Sequence, residues 1–138
     1  MYIPTLAILT LLVSTNAAYR LIDNYTPSNF GDMFDFFTGD DPTHGYVNYV
    51  DRNTAQNLGL FRQQNGKLYM GADNTNIASG RGRNSVRISS RTRYTHGLFI
   101  LDMDHMPDSQ CGSWPAFWAY GPDWPNNGEI DVIEGMNS

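Results

Sequence analysis

At 138 residues, 41% hydrophobic and 17% charged, the chain has the composition of one globular domain. Aromatic residues make up 13% and the 13 glycines follow no period, which excludes collagen-like, coiled-coil and disordered classes. A net charge of -5, with a single lysine, provides no basic surface to neutralise a phosphate backbone, so nucleic acid is excluded as an expected partner.

The chain opens on an apolar run, Ile3 to Val13, followed by Ser14, Thr15, Asn16, Ala17 and Ala18. The run has the length of a secretory signal core and is too short to cross a bilayer. Thr15 and Ala17 put small residues at the two positions a signal peptidase reads, which predicts a signal peptide over 1–17 and a mature domain over 18–138. A secreted, extracellular or cell-wall location follows, with no membrane attachment after cleavage. Asn24-Tyr25-Thr26 is a glycosylation sequon, consistent with a secreted surface loop. In an oxidising compartment the single Cys111 is either a buried free thiol or half of a pair whose partner lies outside this sequence.

The remaining pattern is of short strand-like runs between turn residues, with no stretch of ten or more residues at helical period, so the fold reads as all-β. Asp32 to Phe37 is either a short helical turn or a loop. Gly45 to Asp51 is rich in β-branched and aromatic residues and is predicted as a strand. Leu58–Gln63 and Lys67–Ala72 flank Gln64-Asn65-Gly66, whose Asn-Gly pair supplies the two positive φ angles of a tight hairpin turn. Ser85 to Ser89 has period two, with Val86 and Ile88 on one face and Arg87 on the other. Gly97–Asp104, Pro115–Tyr120 and Glu129–Glu134 complete the predicted strands.

Chemistry-bearing residues gather in the last of these, Gly128-Glu129-Ile130-Asp131-Val132-Ile133-Glu134-Gly135. In a regular strand Glu129 and Asp131 share a face while Ile130 and Val132 take the other. Glu134 follows Glu129 at an odd separation and falls on the wrong face unless one extra residue forms a β-bulge, for which Val132-Ile133 is the place. Acids crowded on one face push at least one pKa upward. Retaining glycoside hydrolysis uses such a split: one ionised carboxylate attacks the anomeric carbon, and a protonated one about 5–5.5 Å away protonates the leaving oxygen. Glu129 and Glu134 suit these roles, with Asp131 between them to hydrogen-bond the nucleophile and share its proton. Calcium prefers flexible loops with mixed carbonyl ligands, whereas these acids alternate with Ile and Val; a solvated acidic face is the plain alternative. Upstream, Trp114, Trp118 and Trp124 offer apolar plates to the flat C–H faces of sugars, with Trp118 and Trp124 the first candidates for stacking and Trp114 the third.

The 128–135 segment, preceded by Trp114-Pro115-Ala116-Phe117-Trp118 and Gly121-Pro122-Asp123-Trp124-Pro125, resembles the signature of glycoside hydrolase family 16 in its fungal laminarinase or endo-1,3(4)-β-glucanase branch. Gly45–Val50, Gly82–Ile88, and Gly97–Ile100 with His105-Met106-Pro107 are similar to the same branch, so the resemblance runs from about Tyr19 to the last residue. It implies a concanavalin-like β-jelly roll of two stacked antiparallel sheets with the catalytic strand on the concave face. It also implies Glu129 as nucleophile, Asp131 as assisting acid and Glu134 as acid/base, in the bulged form of the signature. Asn48 and Arg83 carry over as groove residues that hydrogen-bond sugar hydroxyls. The implied activity is that of a secreted retaining endo-β-glucanase acting on β-1,3 or mixed β-1,3/1,4-glucan, with no cofactor required. A structural calcium remote from the acids occurs in relatives, and its ligands are not placed by this sequence. Family catalytic domains are considerably longer, and Gly135-Met136-Asn137-Ser138 follows directly on the proposed acid/base. The expectation is therefore the N-terminal half of a jelly roll. The alternative is a non-catalytic, lectin-like β-glucan-binding module or an inactive fragment.

Overall fold

The computed structural model describes residues 19–108 and 110–136. The predicted signal peptide over 1–17 lies outside the described residues. Their elements, in chain order, are α1 (Phe30–Met33), β1 (Phe34–Phe36), β2 (Val47–Tyr49), α2 (Arg52–Asn57), β3 (Phe61–Gln64), β4 (Lys67–Met70), β5 (Arg83–Ser85), β6 (Ile88–Ser90), β7 (Ala116–Tyr120) and β8 (Glu129–Glu134). The strands pair as four two-stranded ladders. Three are antiparallel, β1–β6, β3–β4 and β7–β8, and one, β2–β5, is parallel.

Residues 83–90, predicted as one strand around Ser85–Ser89, change partner half-way. Arg83–Ser85 runs beside β2, the chain breaks at Val86-Arg87, and Ile88–Ser90 runs beside β1. The period-two reading survives the break. Val86 packs on the buried cluster of Val50, Ala55, Leu60 and Phe61, while the Arg87 guanidinium lies over Phe37, Tyr49 and Trp118. Gly82 makes the parallel pairing possible, because a Cβ there would lie 2.2 Å from the Tyr46 carbonyl carbon and 2.3 Å from the Val47 nitrogen.

The hairpin at Asn65-Gly66 forms as read, with φ of 53° and 74° at the two turn residues joining β3 to β4. The segment Asp32–Phe37 starts as the end of the short α1, in line with the helical-turn reading, but then runs directly into β1, a strand that neither the helical-turn nor the loop reading gave. α2 has no counterpart in the sequence reading. Its six residues are too few to display a helical period, and it is set by a cap: the Asp51 carboxylate accepts from the Thr54 N–H at 3.0 Å and from its hydroxyl at 2.7 Å. Gly97–Asp104 differs from expectation and forms no strand. A strand exists by virtue of its pairing, and no described strand pairs its backbone with this segment, in which Leu98, Phe99 and Ile100 are exposed. Cys111 is exposed, which excludes the buried-thiol reading. Among the described residues no helix is long and apolar enough to cross a membrane.

The small core holds the β3–β4 hairpin against β1. The Phe61 and Phe36 rings meet edge to face at 5.1 Å, and Phe30 stacks on Phe34 at 4.3 Å. Beside it, the buried Asp73 organises the 73–76 turn by accepting from the Thr75 N–H (2.9 Å) and hydroxyl (3.0 Å) and from the Asn76 N–H (3.1 Å) and side-chain amide (2.8 Å). The Asn76 and Thr75 bonds hold its carboxyl far below the usual carboxylate range. Phe61 is only 5% exposed, so Phe61→Ala is expected to destabilise the protein by about 3–5 kcal/mol, with a cavity left between Phe30 and Phe36. Urea unfolding of the variant against the parent measures the difference.

Candidate active site

β7 and β8 pair antiparallel with Tyr120 opposite Glu129, Ala119 opposite Ile130, Trp118 opposite Asp131, Phe117 opposite Ile133 and Ala116 opposite Glu134. Val132 has no partner, and the register shifts between Phe117 and Trp118. This is the bulge that the odd acid spacing requires, at the first of the two residues suggested for it. Directly opposed residues point to the same side of a sheet. Glu129, Asp131 and Glu134 therefore share one face with Tyr120, Trp118 and Ala116, while Ile130 and Ile133 take the other with Ala119 and Phe117. All three acids are exposed on their face.

The three tryptophans converge on this face. The Trp114 indole N–H donates to Glu134 Oε1 at 2.7 Å, next to the small Ala116. The loop between the strands folds back through turns at Asp123 and Pro125, closed by Gly121 N–H to Gly128 carbonyl at 3.1 Å, and so brings the Trp124 N–H to Glu129 Oε2. An indole N–H can only donate, so each ring fixes the direction of one outer carboxylate. Trp118 lies between, 5.9 Å from the Trp124 ring and 4.8 Å from that of Tyr120.

Arg87 is a member of this face that the sequence reading placed only as the outward residue of a strand. Its guanidinium lies 5.3 Å from the Trp118 ring centre, 4.9 Å from that of Phe37 and 5.8 Å from that of Tyr49. It pairs with Asp41 at 3.7 Å, where the Asp41 side chain is 7% exposed. Burial pushes the Asp41 carboxyl up, but hydrogen bonds from Thr43 and Gly45, helped by the Arg87 charge, outweigh it and hold the group below its usual value. Burial, together with the negative charge of Asp41, raises the Tyr49 hydroxyl. The available sequence signal was the lone arginine alternating with Val86 and Ile88, which the pattern already turned away from the core.

Asn48 and Arg83 are placed elsewhere, on the β2–β5 ladder. The Asn48 amide donates to Asn84 Oδ1 at 2.7 Å, and Arg83 donates to the carbonyls of Asp73 at 2.5 Å and Asn76 at 3.4 Å. Both line a polar cavity of about 330 Å³ shared with Asp73 and Ser79, and none of the three acids lines it. Among the described residues no group of three or more His, Cys, Asp or Glu is placed to hold a metal ion, so no ligands can be named for the structural calcium that the resemblance admits.

The Asp131 carboxyl is raised above its ordinary value, first by lost hydration and then by the charges of Glu129 and Glu134 on either side. The face thus carries two outer carboxyl groups held by indole N–H groups and a central acid biased towards its protonated form.

The profile of the XgeA-like, catalytic GH16 domain matches residues 34–138. The chain belongs to glycoside hydrolase family 16. Its relatives in that family include an endo-1,3(4)-β-glucanase of Arthroderma benhamiae, 47% identical over 122 residues that cover 88% of this chain and 27% of the relative. An elongating family 16 β-1,3-glucosyltransferase superposes with a TM-score of 0.83 at 48% identity, over 87% of this chain and 41% of that one. Laminarinase 16A from Phanerochaete chrysosporium, solved with 6-O-glucosyl-laminaritriose in its donor and acceptor sites, superposes with a TM-score of 0.78 at 47% identity, over 86% and 41%. The chain therefore spans about a quarter of the glucanase and two-fifths of each solved structure. Family membership assigns its ladders to the jelly-roll class of these enzymes.

Removal of one like charge relieves the penalty on ionising Asp131, so Glu129→Gln is expected to lower the Asp131 pKa. It should stay above the ordinary carboxylate value, since the larger contribution, lost hydration, persists. Carboxyl-carbon NMR titration of both proteins measures it, and an unchanged or higher pKa contradicts this arrangement.

Proposed function

We propose that this chain supplies the catalytic strand of a secreted endo-β-glucanase that cleaves β-1,3 or mixed β-1,3/1,4-glucan with retention of anomeric configuration. The observation that carries the proposal is the bulge at Val132, which gathers Glu129, Asp131 and Glu134 on one face beside Trp118. The names of its relatives agree with the substrate class.

In the proposed mechanism a β-glucan lies along the acid face with sugar rings stacked on Trp118 and Trp124 and, at the far end, on Trp114. Glu129, aimed by the Trp124 N–H, attacks the anomeric carbon as the glycosidic C–O bond breaks. Glu134, aimed by the Trp114 N–H, gives its proton to the departing oxygen. Esterification removes the Glu129 charge, and with it one of the repulsions that raise the Asp131 carboxyl, so its bias towards the protonated form weakens in the covalent intermediate. Glu134, now a carboxylate, takes a proton from the incoming water as its oxygen bonds to the anomeric carbon, and Glu129 leaves. This double displacement is complete with protein groups alone and calls for no cofactor. A sugar hydroxyl in place of water would give chain elongation through the same intermediate, and the likeness to the glucosyltransferase gives that second reading its support.

Two outcomes test the proposal. In the protein carrying this domain, Glu134→Gln should lower kcat on laminarin or lichenan by about 100- to 10,000-fold, and Glu129→Gln should abolish reducing-sugar release while glucan binding persists. Glucan binding by the parent without any hydrolysis or transfer would instead establish a lectin-like module. The second outcome concerns the bulge. Deleting Val132 removes the unpaired residue and keeps every other pairing of β7 with β8, so activity should persist. Inserting a glycine between Val132 and Ile133 turns Glu134 to the opposite face if the bulge persists and carries it further along the strand from Glu129 if it does not, so activity should be abolished in either case.

A further inference from the structure

We propose that Asn24 is an N-glycosylation site, occupied during passage through the secretory pathway; this rests on the secretion proposed above. Asn24-Tyr25-Thr26 is the only complete Asn-x-Ser/Thr triplet in the 138 residues, and its middle residue is not proline. In the fold, both neighbours of Asn24 are drawn inward to one residue. The Tyr94 hydroxyl donates to Asp23 Oδ2 at 2.5 Å and meets the Tyr25 hydroxyl, while the Tyr25 ring packs edge-on against Phe34 at 4.9 Å. Asn24, between these two half-buried residues, is exposed, and its backbone carbonyl is held by the Asn29 amide at 3.0 Å. A glycan there extends into solvent without disturbing the Asp23–Tyr94–Tyr25 cluster. It also brings hydration next to Leu21 and Ile22, which are 76% and 65% exposed.

In the reaction, Asn24 Nδ2 bonds to the anomeric carbon of a lipid-pyrophosphate-linked oligosaccharide. The bond from that carbon to the pyrophosphate breaks, and the amide gives up one proton as the lipid pyrophosphate departs. In the folded chain the Thr26 carbonyl accepts from Phe30 N–H at 2.9 Å and the Thr26 hydroxyl meets that of Ser28, so transfer belongs to the nascent chain, before α1 forms.

The test is translation of the chain into microsomes that carry the oligosaccharyl transferase, once with its own leader and once with an established signal peptide in place of residues 1–17. With the established signal, the lumenal, protease-protected chain should show a one-glycan mobility shift. Peptide N-glycosidase should reverse that shift, and it should be lost in Asn24→Gln and in Thr26→Ala but kept in Thr26→Ser. A protected chain with no shift, or a shift that survives Asn24→Gln, overturns the site. A shift with the established signal but no protection with the natural leader would sustain the site and overturn the proposed secretion.

Discussion

A single unpaired residue, Val132, decides which way Glu134 faces. Side chains alternate along a strand, so an odd separation between two acids sends them to opposite sides of a sheet. One bulge residue restores the alternation and turns an acid that would lie against the apolar side into a neighbour of Asp131. The pairing of Ala116 with Glu134 and of Trp118 with Asp131, the reach of Trp114, and the proposed chemistry all depend on that one shift in register.

Three carboxyl groups crowd one short strand, and their surroundings differ. The outer two are each met by an indole N–H from outside the strand, Trp114 for Glu134 and Trp124 for Glu129. The central one has no indole donor, and its pKa is raised, first by lost hydration and then by the charges on either side. Trp118 stands above that centre, braced by Tyr120, Trp124 and the guanidinium of Arg87, which the buried Asp41 ties in turn to the 41–45 turn. An electrostatic chain thus runs from the β2 side of the molecule to the acid face.

The acid face was largely legible in the sequence, because a strand with period two has only two faces and the odd spacing named both the bulge and its place. The Asn65-Gly66 hairpin was legible for the same local reason. The missed features rest on a short cap or on partners distant in the sequence. α2 is set by the Asp51–Thr54 cap rather than by a period, and β2–β5 is parallel because Gly82 lets two backbones approach. Gly97–Asp104 has strand-like residues and no described pairing partner. Arg87 was visible as an outward residue, but only tertiary packing shows that outward means towards Trp118. Trp114 and Trp124 were read as stacking plates, and the fold adds a second use, as donors to the acids. The jelly roll itself came from the motif resemblance and not from periodicity, since four separate two-stranded ladders leave no long-range pattern in the chain.

The central claim is that Glu129 forms the covalent bond and Glu134 serves the proton. It is tested most directly by mass spectrometry of the Glu134→Gln protein mixed with an aryl β-1,3-glucan oligosaccharide carrying a good leaving group. Such a leaving group departs without an acid, whereas breakdown of the intermediate still needs a base, so the glycosyl-enzyme should accumulate. The account predicts a glycosyl adduct on the peptide that contains Glu129, at that residue. An adduct on another residue, or release of the aryl group with inversion and no adduct, would contradict it.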